Sequence, residues 1–231
     1  MLSEQGSSFP FAKWTCYEVG LASGMVARWP GKVKAGSSNR ALVEYCDVTP
    51  TLLDVVGLKT PDTMDGQSFL NVLNGKKESN RRYTYGLHTT RGIINGTDYF
   101  GIRSCGTKKH RYIRNLHHES TFSNAVTRTK SEEGVWPSWV AKAKEGDAAA
   151  KLATTRYQHR PAEELYDVEN DPHCLNNLID DASVANVRDE LSAELARWMK
   201  SQNDTGHDIE AAADTRQRVG RDNQKKQQKQ N

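Results

Sequence analysis

Apolar residues recur at steps of three and four near the end of the chain: Val184, Val187, Leu191, Leu195 and Trp198. Glu190, Glu194, Arg197 and Lys200 fall on the opposite side, so the spacing predicts an amphipathic helix over 184–199. A different rhythm governs residues 83–115. Short alternating runs at 83–87, 92–94, 99–104 and 110–115 predict antiparallel strands, with Asn95-Gly96 as a hairpin turn. Residues 164–167 predict one further brief strand, and 119–160 reads as polar and irregular apart from Trp136-Pro137-Ser138-Trp139 and a short Ala-rich stretch at 148–153.

The first third has another texture. Leu2-Ser3 reads as the last step of a buried strand, followed by a polar loop, Glu4-Gln5-Gly6-Ser7-Ser8. Residues 25–29 predict a strand closed by Pro30-Gly31. Thr49 as N-cap before Pro50 opens a helix with Leu52, Leu53, Val55 and Val56 on its apolar face and Gly57 as its stop. Ser68 caps a second short helix through Phe69, Leu70, Val72 and Leu73. The polar break at 75–80 marks a boundary, which divides the chain into 1–80, 81–200 and a tail at 201–231. That tail is rich in Gln, Lys and Asp and reads as disordered, because it has no apolar face to bury.

Composition narrows the function classes. The 231 residues are 36% hydrophobic, and eight Tyr, five Trp and five Phe can anchor a core. No run approaches the roughly 18–20 apolar residues of a membrane span, and residues 1–6 lack the basic start and apolar stretch of a signal peptide. The formal charge of +3 is concentrated at the end: six basic residues and one acid lie at 215–231, which leaves residues 1–214 slightly acidic. A nucleic-acid binder would carry a basic body, so that class is set aside. Cys16, Cys46, Cys105 and Cys174 form no Cys-x-x-Cys pair, which argues against a zinc site.

A set of motifs in fixed order carries a resemblance. Ser3-Glu4-Gln5-Gly6, then Phe9-Pro10-Phe11-Ala12-Lys13-Trp14, then Val26-Ala27-Arg28-Trp29-Pro30-Gly31 resembles the late active-site segment of the sulfatase family. Asp47-Val48-Thr49-Pro50-Thr51-Leu52-Leu53-Asp54 and Asp65-Gly66-Gln67-Ser68-Phe69 are similar to two of its later elements, and Arg111-Tyr112-Ile113-Arg114-Asn115 to a strand of its small C-terminal subdomain. Glu164-Leu165-Tyr166-Asp167, with Asp171-Pro172 and Asn176-Asn177-Leu178, is similar to the family's ending. The Phe-Pro pairing and His88-Thr89-Thr90-Arg91-Gly92 lean toward its sulfamidase-like (heparan N-sulfatase) branch.

The resemblance implies an α/β fold. Residues 1–80 would be the C-terminal part of an alkaline-phosphatase-like sulfatase domain, and 81–200 a small antiparallel-sheet subdomain with a C-terminal helix. It implies hydrolysis of sulfate esters or sulfamates on sulfated glycans or small sulfate esters, with Ca²⁺ and a formylglycine nucleophile. It also implies export to the periplasm, the exterior or the lysosome. Glu4 takes the family's metal-ligating Asp position and Gln5 its Asn position, each one methylene longer than the usual residue. Oxygen-only ligands of this kind suit Ca²⁺ or Mg²⁺. Lys13 falls on the position that contacts the sulfate, a task suited to a compact cation, and His88 and Arg91 would line the substrate pocket. His117-His118-Glu119 reads as an ordinary solvated cluster.

Two family features are missing from this sequence: the Cys/Ser-x-Pro-Ser-Arg motif that becomes formylglycine, and the early Asp-Asp pair that supplies half the metal ligands. The chain is therefore expected to act as a C-terminal portion that is inactive alone and completed by an N-terminal half. The alternatives are a truncated relic, or an accessory module that binds anionic glycans through Lys108, Lys109, Arg111 and Arg114.

Overall fold

The computed structural model describes residues 1–89, 99–127 and 133–213. In chain order its helices are α1 (Glu18–Leu21), α2 (Val48–Val55), α3 (Leu70–Leu73), α4 (Val135–Lys144), α5 (Ala148–Gln158) and α6 (Ala185–Ser201). The strands are β1 (Thr84–His88), β2 (Ile102–Gly106), β3 (His110–Asn115) and β4 (Glu163–Asp167). They form one antiparallel sheet in the order β1-β2-β3-β4. His88 pairs with Ile102, Ile102 with Asn115, and Ile113 with Glu164.

The sheet is covered on both faces, and the pleat decides what each face meets. On one face Ile102, Ile113 and Tyr166 pack with Tyr17, Phe100, Phe122, Trp136 and Tyr157, which come from the N-terminal segment and from the excursion between β3 and β4. On the other face Cys105, Tyr112 and Leu165 meet Leu191, Leu195 and Met199 of α6. All five β2 residues are buried because both faces are occupied there. Burying a Leu or Ile side chain contributes about 1.5–3 kcal/mol, so the α6 seam is a principal source of stability.

The predicted helix over 184–199 and the strands around 83–87, 110–115 and 164–167 are present. The strand expected at 99–104 runs at Ile102–Gly106 instead, because Phe100 turns into the core. The expected 92–94 strand and the Asn95-Gly96 turn lie outside the described residues. Helix α2 begins at Val48 with Asp47 as its N-cap residue, which places Pro50 inside the first turn, where its missing N–H costs nothing. Phe69, not Ser68, is the cap residue of α3. Ser68 Oγ still accepts from the Leu70 N–H at 3.2 Å and donates to Asp54 Oδ2 at 2.6 Å.

Three further expectations are corrected. Residues 25–29 form no regular strand; Met25 makes only an isolated antiparallel bridge to Leu2, which is exposed rather than buried. With a single partner on one side, neither segment is covered well enough to extend the ladder. The stretch 119–160 is not irregular throughout, since it contains α4 and α5. Asp147 caps α5 by accepting from the Ala150 N–H at 2.8 Å, and Trp136 and Tyr157 bury the inner faces of the pair. The reading of everything past Ser201 as disordered fails for 201–213, which fold back onto the sheet and are helical from 207 to 213. Residues 214–231 lie outside the described residues.

Candidate functional site

The loop after Leu2 is held by backbone bonds from Ser3 N–H to Gly24 O at 2.9 Å and from Val26 N–H to Met1 O at 2.9 Å. It then turns sharply at Gly6, where φ is +54° and a Cβ would stand 2.9 Å from Lys13 N. Only glycine lets the two stretches approach this closely. The following loop is tightly wound: Phe11 and Trp14 both have positive φ, at 62° and 63°. Such conformations in bulky residues persist only where the surroundings enforce them. The anchor is Phe11, whose ring packs on Tyr157 at 4.9 Å and on Tyr17 at 5.4 Å between centroids.

Lys13 sits between the two strained residues. Its Nζ donates to Glu4 Oε2 at 2.6 Å and lies 5.6 Å from the centre of the Trp14 ring. The structure thus brings together two of the residues singled out in the sequence. The lysine stem is largely covered, while the Glu4 carboxylate is exposed. Gln5 neighbours them and lines a cavity of about 510 Å³, whose walls also include Trp14, Glu18, Tyr85, His88 and Arg111.

The implied cation can be tested against this donor set. A carboxylate and a carboxamide oxygen are hard ligands of the type Ca²⁺ takes, but Ca²⁺ needs six to eight oxygens. Glu4 and Gln5 supply two side chains, and among the described residues no group of three or more His, Cys, Asp or Glu is placed to hold a metal. The pair fits such an ion in kind and would supply only part of its shell.

His88 closes β1 and is buried against Phe122, with ring centroids 6.1 Å apart. Burial, then the positive charges of Arg160 and Arg103, push its pKa down to about 4, so the imidazole is neutral at pH 7. Its Nε2 has no hydrogen-bond partner among the described residues. His88 shares the cavity wall with Gln5, whereas Glu4 and Lys13 are not among its lining residues. Arg91 lies outside the described residues.

The four residues of the accessory-module reading do not make one surface. Arg111 is buried on the face that meets the N-terminal segment and pairs with Glu18 at 2.9 Å. Arg114 is on the other face, where it donates to Ser192 Oγ at 3.0 Å, and Lys109 lies 3.8 Å from Asp167. Arg111 is the wall residue that the sequence reading misplaced. Its phase in β3, shared with the core residue Ile113, was the available signal.

No cysteine is poised as a nucleophile. All four are free. Burial raises Cys16 to about 11 and Cys105 and Cys174 to about 12, and Cys46 is raised by partial burial and by the Asp47 and Glu44 carboxylates. Each therefore stays a thiol at neutral pH.

The family described as N-sulphoglucosamine sulphohydrolase, C-terminal, matches residues 6–124, a span that includes Lys13 and His88 and begins just after Gln5. The chain is 34% identical over 192 residues to an ulvan-active sulfatase of Formosa agariphila, covering 83% of this chain and 36% of that protein. It is 25% identical over 213 residues to human N-sulphoglucosamine sulphohydrolase, covering 87% of this chain and 41% of that one. A solved structure of a protein in complex with its substrate, D-glucosamine-2-N,6-O-disulfate, superposes with a TM-score of 0.51 at 20% identity, over 77% of this chain and 28% of that chain, and shares the fold. The chain therefore spans about two fifths or less of the length of these relatives.

Proposed function

This chain belongs to the N-sulphoglucosamine sulphohydrolase C-terminal family of sulfatases, and we propose that it forms one side of an active site that removes sulfate from sulfated sugars. The observation that carries this is the contact of Lys13 with Glu4 on a strained, anchored loop. Lys13 is the sulfate contact. Its ammonium is held in place by the covered stem and the Trp14 ring, and it exchanges a partner carboxylate for a sulfate oxygen of the same charge sign. Glu4 and Gln5 would hold part of a Ca²⁺ shell. When bound, the ion supplies stabilisation of negative charge on oxygen.

His88 faces the sugar, and Arg91 is assigned to the same role by the resemblance alone. A neutral, buried imidazole suits a hydroxyl or an amide better than an anion, so His88 reads the saccharide rather than the sulfate. The sequence carries neither a formylglycine motif nor an activated thiol. In this reading the nucleophile and the remaining metal ligands belong to a region corresponding to the rest of the longer relatives, and the reaction takes place outside the cytoplasm. Among the described residues no helix is long and apolar enough to cross a membrane.

The test is to incubate the chain with D-glucosamine-2-N,6-O-disulfate and Ca²⁺, measuring binding and free sulfate separately. Binding without sulfate release is expected. Release by this chain alone would show that the nucleophile lies within it and would contradict the division of labour proposed.

A further inference from the structure

Beyond α6 the chain returns to the sheet and buries two carboxylates there. Arg103 of β2 is 1% exposed. Asp204 receives its Nε and Nη2, and Glu210 Oε1 receives Nη2 at 2.9 Å. The remaining Nη1 donates to Ile102 O at 3.1 Å and reaches His88 O at 3.4 Å. The other Glu210 oxygen accepts from Thr89 Oγ1. Room for this side chain exists because residue 101 is glycine: a Cβ there would stand 2.7 Å from both Cγ and Cδ of Glu210. Glu210 therefore touches both ends of the β1–β2 connection, Thr89 at its start and Gly101 at its end. An apolar plug would cover β2 with a smaller desolvation cost; a directed ion cluster fixes geometry instead.

We propose that residues 204–213 are a clamp on the end of β1, and that Glu210 is a positioning residue that sets His88 for the sugar. This rests on the sugar-facing role given to His88 above. The clamp lies outside the stretch that the family match covers, residues 6–124.

Glu210→Ala removes the carboxylate, and Gly101→Ala displaces it while leaving every charge in place. In both variants of the full chain, hydrogen exchange at 86–89 is expected to rise about tenfold, with 110–115 and 185–201 unchanged. Affinity for D-glucosamine-2-N,6-O-disulfate is expected to fall about fivefold in both, and Glu210→Gln, which keeps an acceptor oxygen, is expected to recover most of the loss. Wild-type exchange at 86–89 in both variants would overturn the clamp. Raised exchange with unchanged affinity, in a chain whose His88→Ala variant does lose affinity, would overturn the positioning role. Unchanged affinity in His88→Ala would overturn that role together with the reading it rests on, while the exchange measurement still decides the clamp.

Discussion

Lys13 Nζ stands 2.6 Å from Glu4 Oε2, across a nine-residue separation that the turn at Gly6 and the anchor at Phe11 fold into contact. The lysine is held and covered, and the carboxylate is open to solvent. On the proposed reading, a sulfated ligand arriving from solution meets Glu4 first and competes with it for Lys13. Exposed ion pairs of this kind are worth about 0.2–1 kcal/mol, so a ligand can displace Glu4 readily.

Glu4→Gln removes that competition. In metal-free buffer the variant should bind D-glucosamine-2-N,6-O-disulfate up to about fivefold more tightly than wild type, which calorimetry would read directly. Weaker binding would mean that Glu4 supports the ligand instead of competing with it.

Leu195 is fully buried against the sheet in the α6 seam. Leu195→Ala should lower unfolding free energy by about 2–5 kcal/mol, because the transfer term and the cavity add. Urea titration followed by tryptophan fluorescence measures it. A loss under 1 kcal/mol would show that α6 is not docked as described.

Acid should weaken the fold through His88. Its folded pKa, about 4, lies below the ordinary 6.5, so the folded state binds fewer protons than the unfolded chain between those values. Stability is fully present above pH 6.5 and falls as the pH drops through that window, by at most about 1.4 kcal/mol per unit for one group. His110 and His117 are lowered in the same sense, chiefly by burial. The diagnostic quantity is therefore the difference in pH slope between wild type and His88→Gln, which should be shallower. Equal slopes would contradict a buried neutral His88.

Tyr17 donates to Glu164 Oε2 at 3.0 Å inside the core, and Asn115 Nδ2 donates to Glu164 Oε1 at 2.7 Å. Tyr17→Phe should cost about 1–3 kcal/mol, measured in the same urea titration, because a buried carboxylate loses a donor. A neutral outcome would show that the Tyr166 hydroxyl, which donates to the same oxygen, satisfies it without Tyr17.

Legibility followed periodicity. Helix α6 could be read from the sequence because Val187, Leu191 and Leu195 repeat at the helical period, and strand β3 because Tyr112-Ile113 is a short β-prone pair between polar residues, one side chain to each face. Helices α4 and α5 were hidden, since their apolar contribution is a few large residues, Trp136 and Tyr157, set among Ala, Lys and Thr. The 204–213 segment was invisible for a sharper reason: it buries Asp204 and Glu210 through Arg103, and no composition rule foresees a buried charge before its partner is known. In the site, the motif order named Glu4, Gln5, Lys13 and His88. The Lys13–Glu4 contact and the inward turn of Arg111 needed coordinates.

The most direct test of the central claim is the affinity of the wild-type chain and of Lys13→Ala for D-glucosamine-2-N,6-O-disulfate in calcium-containing buffer. Loss of a charge-assisted hydrogen bond to sulfate, worth about 1.5–3 kcal/mol, should weaken binding about tenfold or more, in a variant shown by its melting temperature to be folded, since removing the covered stem also removes packing. Equal affinity in the two proteins would contradict the assignment of Lys13 as the sulfate contact, and with it the site proposed around it.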